Sequence, residues 1–131
     1  MHLRWTLSVL VHASALMAAP ALAPVLDDRD FCSAAKQLAV AAEQDVGLWL
    51  DRVTRNAGME VWCDRKMVVF KRFTYAASAS MTVEWKARKA TEWSAAHCGS
   101  PLWGEAIRQG WKIDLSVTAA DGGQATFSAN C

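Results

Sequence analysis

Histidine is scarce in this chain. Three occur in 131 residues, and His2 and His12 fall in a leader-like opening segment, which leaves His97 as the one candidate imidazole base of a mature domain. No G-x-S-x-G elbow, phosphate-cradling glycine loop or dinucleotide fingerprint is present, so a Ser-His-Asp set and the common nucleotide sites have no foothold. The four cysteines, Cys32, Cys63, Cys98 and Cys131, stand more than thirty residues apart. No C-x₂₋₄-C pair exists, and a zinc site is not expected. No cofactor or metal is implied by any motif.

The opening segment reads as a leader. Arg4 precedes an uncharged, mostly apolar run over residues 5–17, followed by the small-residue stretch MAAPALAP. This is the layout of a secretory signal peptide, and the run is short for a membrane span. Cleavage after Ala21, at the Ala19-Pro20-Ala21 site, avoids leaving Pro24 at the new terminus. The predicted division is a signal peptide over residues 1–21, a mobile lead-in over 22–30 and one domain over 31–131. Loss of Arg4 leaves thirteen basic against thirteen acidic side chains. Phosphate binding needs a basic excess, so a nucleic-acid partner is not expected. With no second long apolar run, no membrane insertion is expected after cleavage.

An even cysteine count in a small exported domain reads as two disulfides, with three connectivities open. The placement of the predicted elements favours two of the possible pairs. Cys32 opens a helix that Cys63 faces at a strand end, and Cys98 sits at a joint between helices near the final strand that Cys131 ends. Cys32–Cys63 and Cys98–Cys131 would each close a loop of just over thirty residues. A bridged Cys98 has no thiol, and on a helix it points about 100° away from adjacent His97, so a Cys-His catalytic pair is not expected. His97 itself reads as a surface or capping residue near a helix C-terminus, where positive charge is favoured.

Hydrophobic periodicity supplies the order of elements. A first helix starts near Phe31, with Asp30 as its cap and Ala35, Leu38, Ala39 and Ala42 as its apolar stripe, and ends or bends at Gly47. Residues 59–75 alternate as a β-hairpin turning at Asp64-Arg65-Lys66. A second helix covers residues 82–97 with Val83, Ala87, Ala90 and Trp93 on one face, and Gly99 ends it. Ser100 and Pro101 open a short third helix that Gly110 closes. Trp111, Ile113, Leu115 and Val117 then alternate with polar residues, as do Ala125, Phe127, Ala129 and Cys131. A three-residue loop, Asp121-Gly122-Gly123, would pair Val117 with Phe127 and Ile113 with Cys131, keeping apolar residues and the Cys131 sulfur on one face. The predicted fold is α+β, an antiparallel sheet of two hairpins with helices on one face, stapled by disulfides.

Six tryptophans remain beyond the leader. Trp93 and Trp111 lie on core faces, whereas Trp62 falls opposite Val61 and Cys63. With the nearby basic residues, Trp62, Lys71 and Arg72 form the candidate interaction surface, since tryptophan is enriched at binding hot spots. The function this suggests is a non-catalytic exported binding domain, periplasmic or secreted, meeting a protein or envelope component. A carboxylate-based envelope hydrolase and an inhibitor or immunity protein are the alternatives.

Asp51, Thr54-Arg55, Cys98, Gly110, Asp121-Gly122 and Cys131 make up a pattern: a D-x-x-T-R strand opening, a cysteine before a short helix, a glycine before a last hairpin and a terminal cysteine. In these the chain resembles small exported bacterial domains. The resemblance implies a strand beginning near Thr54 and a Cys98–Cys131 bridge, makes the Cys32 and Cys63 pair an addition, and carries no activity.

Overall fold

In a computed structural model the structure describes residues 26–131. The expected signal peptide and residues 22–25 of the expected lead-in lie outside the described residues. The order is α1 (Asp28–Ala42), β1 (Thr54–Trp62), β2 (Met67–Thr74), α2 (Val83–Cys98), α3 (Pro101–Arg108), β3 (Lys112–Ala119) and β4 (Gln124–Ser128). The class is α+β, and both disulfides are present: Cys32–Cys63 with Cα atoms 5.7 Å apart and Cys98–Cys131 at 5.6 Å.

The strands lie in the order β1-β2-β3-β4. Each hairpin is antiparallel as its alternation predicts, but β2 and β3 run parallel, so the sheet is mixed. Alternation reports which side chains face the core, not which strand lies alongside. The α2–α3 segment supplies the crossover that parallel neighbours require.

Three local expectations are corrected. Helix α1 starts at Asp28, and its cap is Asp27, whose Oδ1 accepts from the Asp30 amide at 2.8 Å. Asp28, Arg29 and Asp30 therefore belong to the helix and not to the lead-in. The last loop has three residues, but they are Ala120, Asp121 and Gly122, one position early. Leu115 pairs with Phe127 and Val117 with Ala125. A shift of two in register preserves the buried face. The two glycines set it: Gly122 takes the left-handed position at φ +91°, while Gly123 lies against Ser78, where a Cβ would overlap the serine side chain. As a result Cys131 lies exposed past the end of β4, bridged but not on a strand face.

Tryptophan builds the core. Trp93 and Trp111 are buried, with Phe31, Val68, Ile113, Leu115 and Phe127 around them. Phe31 packs edge-on against both Trp103 and Trp111, and Phe70 meets Trp93 and Trp103 the same way. The Trp93 indole donates to the Ile113 carbonyl at 2.9 Å, satisfying the one polar atom that its burial takes out of water. Its neighbour one turn on, His97, is also buried at 8% exposure, against the expectation of a surface residue. Residues four apart share a helix face, so His97 goes inward with Trp93. Its Nδ1 lies 2.8 Å from the Trp93 carbonyl, an acceptor, so this nitrogen carries the proton. The buried face of α2 consequently runs through Trp85, Trp93 and His97, and Val83 and Ala87 are exposed.

α2 and α3 cross closely. A Cβ on Gly104 would come within 2.6 Å of the Cys98 carbonyl oxygen, a backbone atom with little room to yield. Gly104→Ala is expected to cost about 1–3 kcal/mol, as overpacked sites do, and thermal unfolding of the oxidised protein measures it.

Acid should destabilise the fold. The Asp28 carboxyl is held below its ordinary value of 3.8, first by the Lys66 ammonium 2.7 Å away and then by the Trp111 indole. Asp121 is lowered by the Ser78 and Gly123 amides. A carboxyl whose folded pKa lies below its unfolded one contributes stability that is complete above the unfolded value and disappears as pH falls through the folded one. Calorimetry should show a flat Tm from neutrality to about pH 5 and a decline below about pH 4, shallower in Asp28→Asn.

Candidate functional site

The alternation of β2 separates the expected interaction residues. Lys71 and Arg72 are adjacent on a strand, so they face opposite sides of the sheet. Lys71 lies on the side that α1, α2 and α3 leave uncovered, where its Nζ meets Glu60 Oε1 at 2.8 Å. Trp62 shares that side, 42% exposed, with the Arg65 guanidinium 5.2 Å above its ring. Arg72 lies on the helix side, 5.7 Å from the Trp93 ring. Trp62 and Lys71 therefore belong to one surface and Arg72 to another. The other basic residues do not gather near Trp62 either. Lys66 pairs with Asp28, and Lys89 and Arg88 pair with Glu92 on α2.

A larger aromatic group stands at the opposite end of the uncovered face. After α1 the chain makes a short 3-10 turn, turns at Gly47 (φ +88°) and runs back along the start of β1. The Gly47 amide donates to the Asn56 carbonyl at 2.7 Å and the Asn56 amide to the Leu48 carbonyl at 2.9 Å. The D-x-x-T-R stretch secures this arm. Asp51 Oδ1 accepts from the Val53 and Thr54 amides, both at 2.8 Å, and so turns the chain into β1. The Asp51 carboxyl is lowered first by the Val53 amide.

Arg55 then supports the arm's aromatics. Its guanidinium lies 4.1 Å from the Trp49 ring and 5.6 Å from that of Tyr75, while Phe73 meets Tyr75 edge-on at 5.0 Å. A bulge between Asn56 and Gly58, with Gly58 at φ +105°, reverses the alternation of β1. Arg55 thereby shares the uncovered face with Glu60 and Trp62. Along the arm and beside it Val46, Leu48, Trp49, Leu50, Val53 and Tyr75 are each between 43% and 57% exposed, and Val53 also lines a cavity on the helix side. Sequence reasoning missed this group. The apolar triplet Leu48-Trp49-Leu50 right after Gly47 was the available signal.

Past this arm, β3 and β4 turn polar side chains to the same face. Asp114 is buried there, with its Oδ1 accepting from Ser128 Oγ at 2.7 Å. Along β1 and β2 the face thus has aromatic groups at both ends and the Lys71–Glu60 ion pair between them.

Arg72 borders a cavity of about 200 Å³ on the helix side, lined also by Asp51, Thr54, Ser80, Trp85 and Lys89. The cavity opens where the parallel strands β2 and β3 end. Burial lowers the pKa of the Arg72 guanidinium, opposed by the Asp51 carboxylate.

No family model matches the chain, and no curated protein matches it by sequence. Among solved structures it is similar to a protein of Pseudomonas aeruginosa described as inferred to be secreted, at a TM-score of 0.63 and 12% identity, over 81% of this chain and 94% of that one. At that identity the likeness shows a shared fold.

Arg55 should hold the arm through stacking rather than ion pairing. In Arg55→Ala, hydrogen exchange at the Gly47 and Asn56 amides is expected to quicken while the amides of β3 keep their protection.

Proposed function

We propose that this protein is an exported, non-catalytic binding domain, working in the periplasm or outside the cell, which captures a protein partner on the β1–β2 side of its uncovered sheet face. The observation that carries the reading is the exposed apolar arm. Six large side chains at 43–57% exposure cluster within residues 46–53 and Tyr75. Exposed contiguous apolar surface of this kind marks interaction sites. The arm is also braced. Its backbone pairs with β1 and Arg55 stacks beneath Trp49, so little ordering entropy is lost when a partner closes on it. Trp62 stands roughly 20 Å further along β1, taking about 3.3 Å per residue, within the span of one protein interface.

Export is supported by three independent features: the signal-like opening sequence, two disulfides and a structural neighbour described as inferred to be secreted. Disulfides persist in oxidising compartments.

The test is photo-crosslinking of the oxidised protein in periplasmic extract, with the probe at Trp49 or at Trp62. One partner should be captured from both positions. The pair Trp49→Ser and Tyr75→Ser should abolish capture with Tm little changed, and Trp62→Ala should weaken capture without unfolding the domain. Undiminished capture by the double variant would overturn the reading, as would loss of fold in Trp62→Ala for the part assigned to Trp62.

A further inference from the structure

The cavity at the ends of β2 and β3 lies on the other side of the sheet from the docking face and has a different chemistry. Met81, Trp85, Leu115 and Val117 make its walls apolar, and Thr54, Thr74 and Ser80 bring hydroxyl groups to it. Two cations, Arg72 and Lys89, also line it. Among the described residues no carboxylate lies within ion-pair distance of the Arg72 guanidinium, and no side-chain or backbone oxygen accepts from it. Lys89 makes only a 3.4 Å contact with Glu92. The Asp51 carboxylate at the same cavity already accepts two amides through Oδ1.

The Arg72 side chain is partly buried while its nitrogens still reach solvent, so an anion entering the cavity would meet a cation already partly shielded from water. The planar fork of arginine matches a carboxylate in bidentate fashion. Of the lining residues two are cations and one a carboxylate, and Glu92, outside the lining, is shared between Lys89 and Arg88. An apolar cavity of about 150 Å³ accepts benzene, so one of about 200 Å³ has room for a ring and a carboxylate together.

We propose that this cavity binds a small monocarboxylate with a compact apolar body, of the size of an aryl acid, with its carboxylate held by Arg72 and Lys89 and its body against Met81, Trp85 and Val117. The site meets the docking face only at Asp51 and Val53, which line the cavity from the arm, and no ligand contact is assigned to either.

Titration of the oxidised protein with phenylacetate, followed by calorimetry and by the indole NMR signal of Trp85, tests it. Binding should saturate at one equivalent and shift the Trp85 signal. The neutral isostere phenylacetamide should bind about tenfold more weakly or worse, the size expected for loss of a charged hydrogen bond. Arg72→Gln should lose a similar factor. Lys89→Gln, a helix-surface change that leaves the core intact, should lose less but measurably, and it stands in if the Arg72 variant fails to fold. Trp49→Ser with Tyr75→Ser should bind phenylacetate normally. Equal affinity for acid and amide, unchanged binding in Lys89→Gln, tighter binding of inorganic phosphate, or no saturable binding by phenylacetate, benzoate and 4-methylpentanoate would each overturn the proposal.

Discussion

Parallel neighbours cannot be joined by a tight turn, and this constraint organises the molecule. Once β2 and β3 lie side by side in the same direction, the chain must return the length of the sheet between Thr74 and Lys112. Two helices make that return, and all their aromatic side chains that reach the sheet do so from one side. Phe70 and Phe127, on the inward positions of β2 and β4, receive Trp93 and Trp85 respectively. The opposite face is left to carry its own surface chemistry. The crossover also leaves a gap beyond the ends of the parallel pair, where α2 has begun but does not fill the space over Thr54 and Thr74. Docking face and cavity are therefore two results of one topological choice.

Within the covered layer, edge-to-face aromatic contacts join the aliphatic packing of Val68, Ile113 and Leu115. Phe31, Trp103, Phe70 and Trp93 form a chain of perpendicular rings that links α1, α3, β2 and α2. Such geometry sets ring edges against the electron-rich faces of neighbours and makes the packing directional. His97 extends the chain with an imidazole 3.9 Å from the Trp93 ring. Its place among rings and its bond to a helix carbonyl give it a structural part, and Cys98 beside it is joined to Cys131.

Much of this was legible in the chain, and the rest has specific physical reasons for being hidden. The cap at Ser100 was readable because side chain and position agree, and its hydroxyl accepts from the Trp103 amide; Thr82, read as the first residue of its helix, is instead the cap and accepts from the Trp85 amide. The buried face of β3 and β4 was readable because its period is two. The parallel join was not, since it depends on a partner 45 residues away, as Met67 is from Lys112. The inward turn of His97 could have been found from its spacing to Trp93, had the face drawn through Val83, Ala87, Ala90 and Trp93 been continued one turn beyond Trp93. The separation of Lys71 from Arg72 follows from strand alternation alone. Arg55 was hidden for a subtler reason, because a single bulge inverted the parity on which such reasoning depends.

The two disulfides span residues 32–63 and 98–131, so the loops they close neither overlap nor nest. Each cysteine is joined to the next one in chain order. For a polypeptide that emerges N-terminus first into an oxidising space, the earliest available partner is always the correct one. An oxidase working indiscriminately on nascent thiols would produce the native set, and a shuffling enzyme would have no wrong pair to undo.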